Sequence, residues 1–101
     1  MRIMTIAIAT TALIGAASAA AAHYVGQELA SHVKVTMATA RMTALKAHPG
    51  KITDAELEKE GGGSGLRYSF DIKARGKTFE VGVDAMTGRV LENKKEGKNP
   101  D

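Results

Sequence analysis

The run from Tyr68 to Glu92, "YSFDIKARGKTFEVGVDAMTGRVLE", alternates apolar and polar residues and breaks step only at "ARGK" and "DAMTG". A period of two sends successive side chains to opposite faces of a strand, so the chain is committed to a sheet with one greasy face and one wet face. Leu66, Tyr68, Phe70, Ile72 and Ala74 point one way, and Arg67, Ser69, Asp71, Lys73 and Arg75 point the other. Past the Arg75-Gly76 turn, Phe79, Val81 and Val83 face inward, while Thr78, Glu80, Gly82 and Asp84 face out. A two-residue turn pairs residue 72 with 79, 70 with 81 and 68 with 83. That register lands both apolar sets on one face, and a one-residue slip would turn one strand's core into solvent. In "DAMTG", Asp84 is suited to bond local backbone N–H groups and Gly88 to take a positive φ. The chain then returns through Arg89 to Glu92, with Val90 opposite Val83 and Arg89 opposite Asp84.

A floor of this kind needs a lid. Upstream, "VTMATARMTALKAHPG" places Met37, Ala40, Ala44, Ala47 and His48 at helical spacing, with Leu45 beside them. Thr36 is a suitable N-cap, because its hydroxyl can accept from an orphan N–H of the first turn. Pro49-Gly50 ends the helix, and the small Ala40 and Ala44 let it sit close to a sheet. Lys51 to Glu60, "KITDAELEKE", has helix-favouring residues but is bounded by "PG" and "GGGSG", with Ala55 and Leu57 in phase against Glu56, Glu58 and Glu60. Its length and flanks predict a strand, and "GGGSG" a loop. The expected fold class is α+β. One helix packs on a three- to four-stranded antiparallel sheet, in the order helix, strand, strand, strand, short strand, with the other sheet face wet.

Not all 101 residues belong to that domain. Met1 to Ala22 has a positive start at Arg2, an apolar run from Ile3 to Ala17 and then small residues, the pattern of a cleaved export signal, with cuts expected after 19, 20 or 22. The apolar run falls short of the roughly 20 residues a membrane-spanning helix needs, so no membrane insertion is expected after signal removal. Residues 23–34 read as an N-terminal linker, either a short helix or mobile; 35–92 as the domain; and 93–101, "NKKEGKNPD", as a disordered polar tail. Export implies a periplasmic or secreted protein. Small exported domains often use disulfides, but there is no cysteine here, so packing alone must hold it. From His23 onward 13 Lys and Arg face 11 Asp and Glu, spread rather than clustered. With Tyr24, Tyr68, Phe70 and Phe79 as the aromatics, a basic stacking platform for nucleic acid is not expected.

The segment 35–92 resembles the PepSY domain, a module of thermolysin-like metallopeptidase propeptides and of many small exported bacterial proteins. The resemblance is carried by the Ala-rich helix ending "ALKAHPG", by "AELEKE" and "YSFDIK", and most distinctively by "FEVGVDAMTGRVLE" with its "VDAxTGxVL" pattern. Members usually carry acidic residues in the first helical turn, where Ala38 and Thr39 stand here. No peptidase domain follows residue 92, so the resemblance implies action on another protein in trans.

Side-chain chemistry points the same way. Nucleophilic catalysis needs a nucleophile, a base and an orienting group within reach, and the expected fold puts no histidine near Ser64 or Ser69; His48 reads as a partly buried helix-end cap. No enzyme and no cofactor are expected. Asp71 and Glu80 fall opposite each other on the wet face, where paired carboxylates can share a proton or bind a cation, but the expectation is that Lys73, Thr78 and Arg67 neutralise them diagonally. Glu56, Glu58 and Glu60 beside Arg67, Lys73 and Arg75 make a mixed charged face. The leading expectation is a non-enzymatic protein-binding module that inhibits a peptidase or modulates an envelope or sensor protein, docking through Arg67, Asp71, Lys73 and Glu80. The alternative is a small periplasmic copper-binding protein. Cleavage after Ala20 would leave a free amine two residues before His23, able to wrap Cu(II) through backbone nitrogens, with His32, His48, Met37, Met42 and Met86 as further donors.

Overall fold

The computed structural model describes residues 23–97; the expected leader and its cleavage sites lie outside them. One α-helix, α1 (Met37–Ala47), lies on a four-stranded antiparallel sheet in the order β1 (Lys51–Lys59), β2 (Leu66–Ala74), β3 (Lys77–Asp84) and β4 (Val90–Lys95). The α+β architecture is therefore the expected one, with four strands in sequence order.

Alternation places the core. Leu57, Tyr68, Phe70, Ile72, Val81 and Val83 are buried on one sheet face, beneath Ala40 and Ala44 of α1. Burying each large side chain contributes about 2 kcal/mol, and the two alanines let the helix approach. Thr36 caps α1, its Oγ1 accepting from Thr39 N at 3.1 Å. The hairpin register is the one the apolar sets dictate: Ile72 opposite Phe79, Phe70 opposite Val81, Tyr68 opposite Val83. Tyr68 extends beyond the apolar layer and donates its hydroxyl to the Val35 carbonyl at 2.6 Å, tying β2 to the segment entering α1. Burial, with Tyr24 nearby, pushes the Tyr68 phenol up to about 12.

Two bulges adjust the edges. In β1 the register shifts between Ile52 and Asp54, leaving Thr53 as the extra residue. Ile52 therefore faces the core opposite Ile72, in phase with Ala55 and Leu57 although it stands three positions before Ala55. In β4 the extra residue is Leu91, which returns Val90 to its place opposite Val83. β4 also runs further than expected. Asn93, Lys94 and Lys95 pair with Val81, Glu80 and Phe79, so the strand takes in the first three residues of the expected tail. Extended pairing with a central strand outweighs the polar composition that suggested disorder. Residues 98–101 lie outside the described residues.

The segment from His23 to Lys34 is docked. Gln27–His32 form a 3-10 helix, and Val25 makes a parallel bridge to β1, its carbonyl accepting from Leu57 N at 2.9 Å. Gly26 takes φ 88°, and a Cβ there would collide with the Leu57 carbonyl. Glycine is what allows this strap to close against the outer edge of β1.

Candidate functional site

The sheet face opposite α1 carries the charged half of every alternating pattern. Its rows, read from β1 to β4, follow from the register. Lys51, Lys73 and Thr78 form one end. Next come Asp54, Asp71, Glu80 and Lys94, and then Glu56, Ser69, Gly82 and Glu92. Beyond them lie Glu58, Arg67 and Asp84. The middle rows line a concavity of about 400 Å³.

Arg67 belongs to the floor of this face. It is 8% exposed, and its guanidinium lies over Gly82, where an added Cβ would come 3.2 Å from Nη1. Nη1 donates to Glu92 Oε1 at 3.1 Å and Nη2 to the Gly61 carbonyl at 3.3 Å. The Nε has no partner. Glu92 also pairs with Lys94 at 3.1 Å.

Asp71 and Glu80 do stand opposite each other, but the expected diagonal neutralisation does not occur. Among the described residues the ion pairs are Arg67–Glu92 and Lys94–Glu92, and neither reaches them. Lys73 is exposed, at the basic end of the face. Glu96 joins instead. Its N–H donates to the Thr78 carbonyl at 2.8 Å, and carboxylate oxygens of Asp71, Glu80 and Glu96 lie within 4.8 Å of one another. Burial first, and neighbouring charges second, raise the pKa values of Asp71 and Glu80. Glu80 is raised by burial, then by Glu92, Glu96 and Asp71, against a lowering by Lys94. Asp71 is raised by burial and by Asp54. Glu56 is raised first by the hydrogen bond with the Asp54 carboxyl, then by burial and the neighbouring Asp54, Glu58 and Asp71 charges. The middle of the face is thus acidic rather than mixed.

Asp54, Glu92 and Glu96 were not among the expected site residues. Glu92 and Glu96 share the parity of Val90, which stands opposite the core residue Val83, so the period of two alone would send them inward, and the Leu91 bulge turns them to the wet side. Asp54 keeps the period of two with Glu56, Glu58 and Glu60 and pairs with Asp71 in unbroken register, so the Thr53 bulge affects Ile52 and not Asp54.

The other candidates stay apart. Ser64 Oγ donates to Asp84 Oδ1 at 2.7 Å and Ser69 Oγ to Glu58 Oε2 at 2.6 Å, so both hydroxyls engage carboxylates and not imidazoles. His48 is half-buried and stacks on Phe79 with ring centroids 3.9 Å apart. His23 is exposed, His32 lies by Leu29 and Leu66, and no histidine joins the carboxylate group. No described helix is long and apolar enough to cross a membrane.

Comparison with known proteins identifies a family. Residues 34–94 fit the family model described as "PepSY: Peptidase propeptide and YPEB domain". No curated protein and no solved structure matches significantly.

Proposed function

The chain belongs to the PepSY family, and on that premise we propose that it is a non-enzymatic, exported module that binds another protein in trans, a peptidase it inhibits or an envelope or sensor protein it modulates. The observation that carries the reading is the wet sheet face. Four paired strands hold it rigid, α1 occupies only the opposite side, and its charged residues converge on a concavity. Rigid surfaces of this kind bind without a large ordering cost. Arg67 and Glu92 set the floor, while Asp71, Glu80 and Lys73 stand where a partner would touch them.

The test is titration of a thermolysin-like metallopeptidase with the purified protein up to high micromolar concentration. Saturable inhibition supports a role in trans like that of the related propeptides. Absence of inhibition, together with failure to cross-link any protein in the native envelope, would overturn the binding-module reading. Export has its own check: the amino terminus of protein recovered from the periplasm or medium is expected at residue 20, 21 or 23.

A further inference from the structure

We propose that the partner presents a lysine- or arginine-rich segment to the acidic middle of the wet face, an inference that rests on the reading of that face as a docking surface. Asp54, Glu56, Asp71, Glu80 and Glu96 have no ion-pair partner among the described residues, and the cations lining the concavity, Arg67 and Lys94, both go to Glu92. A rigid face that keeps carboxylates this close carries repulsion that the Lys94 charge beside Glu80 offsets only in part.

Arg67 is a second and separate sign. Its side chain is nine-tenths buried, it lines the same concavity, and its Nε is a buried donor with no partner, whereas Nη1 and Nη2 are engaged by Glu92 and Gly61. Burying a donor without an acceptor costs about 1–3 kcal/mol. A main-chain carbonyl of a docked segment would answer it after a small rotation of the guanidinium.

Geometry favours a chain over a single ion. Strands lie about 4.8 Å apart, so the Asp54–Asp71–Glu80 row spans about 10 Å, and Glu56 and Glu92 lie one row further on. One ion held by Asp71, Glu80 and Glu96 would leave the others uncompensated. An extended segment projects alternate side chains about 7 Å apart, which suits cations distributed over two rows. Lys51 and Lys73 close one end of the face and repel a basic segment there, so they set where it stops. Charge complementarity of this kind steers encounter and fixes orientation.

The experiment is an NMR titration of the ¹⁵N-labelled protein with an acetylated decapeptide of alternating lysine and serine. A glutamate–serine decapeptide and calcium chloride alone serve as the other arms. The expected result is saturable shifts at the amides of Asp54, Ser69, Asp71 and Glu80 with the lysine peptide. The affinity should fall at least tenfold in Asp71→Asn/Glu80→Gln and weaken with added salt. Neutral isosteres remove repulsion, so this variant keeps the fold, and its spectrum verifies that. Equal affinity in the variant, shifts lying elsewhere, or no saturation would overturn the proposal. So would saturation by calcium alone with none by the peptide. The metallopeptidase assay separates the two readings. If wild type and variant inhibit equally, the basic-partner inference falls and the binding module stands. If the lysine peptide binds this face and the peptidase is untouched, the inference stands and that peptidase is removed as partner.

Discussion

Asp84 holds together two loops that are 20 residues apart. It is 1% exposed, and its carboxylate accepts from Ser64 N and Oγ, both at 2.7 Å, and from Met86 N and Thr87 N at 2.8 and 3.1 Å. Burial alone would raise its pKa, but hydrogen bonds from Met86, Ser64 and Thr87 outweigh that and hold it at about 2. A carboxyl depressed by folding contributes stability above its unfolded value of 3.8 and loses it as pH falls toward about 2. Asp84→Asn is therefore expected to cost about 2 kcal/mol at neutral pH in urea unfolding, and to flatten the acid limb of the stability profile. An unchanged midpoint in both respects would show that the latch adds nothing. Arg67 behaves differently from its expected role as an exposed docking residue. Reversal in Arg67→Glu would bury a second carboxylate against Glu92, at an expected cost of about 3–5 kcal/mol, whereas Lys73→Glu at an exposed position should stay within about 0.5 kcal/mol. Paired urea curves distinguish them, and equal small effects would mean that Arg67 is not part of the floor.

At the scale of elements, the strap across β1 is the part that composition gave least reason to expect. "HYVGQELASHVK" has no strong period, and its glycine looked unhelpful to any helix. Gly26 instead provides the left-handed turn that sets Val25 against Leu57. Gly26→Ala should release the strap, speeding amide exchange at Leu57 while the amides of β2 and β3 keep their protection; unchanged exchange at Leu57 would mean that another contact holds the segment. Helix α1 and the β2–β3 hairpin, by contrast, were legible from the sequence down to their register. A cap, a helix stop and two matched alternations all agree there, and each independent signal excludes the same alternatives. β4 was legible only as far as Glu92, because its last residues are polar on both faces and owe their order to β3.

For the whole molecule, the wet face makes stability depend on pH in a direction opposite to Asp84. Asp71, Glu80 and Glu56 are raised above ordinary carboxylate values on folding. The folded protein thus binds protons more tightly than the unfolded chain, and stability is lost as pH rises through those raised values. The free protein is expected to be more stable at mildly acidic than at neutral pH, until the Asp84 window is reached near pH 4 and below. Asp71→Asn/Glu80→Gln should raise the melting temperature at neutral pH and weaken this slope, and added salt should act in the same direction by screening. A melting temperature lowered by the double substitution would show that the carboxylates are paired within the fold after all.

The sheet, its hairpin register, the helix that covers it and the position of the core follow from residue pattern alone, because periodicity is a local property that burial turns into structure. The resemblance of residues 35–92 to PepSY domains was equally local, carried by turn and strand residues that shape the fold. The character of the wet face, in contrast, was settled by folding. Whether Arg67 is a free cation or a buried tie, and whether Asp54, Asp71, Glu80 and Glu96 crowd together or find partners, depends on the Leu91 bulge and on the pairing of β4. Charge sign is written in the sequence, but its compensation depends on distances between strands, and those exist only once the chain has folded.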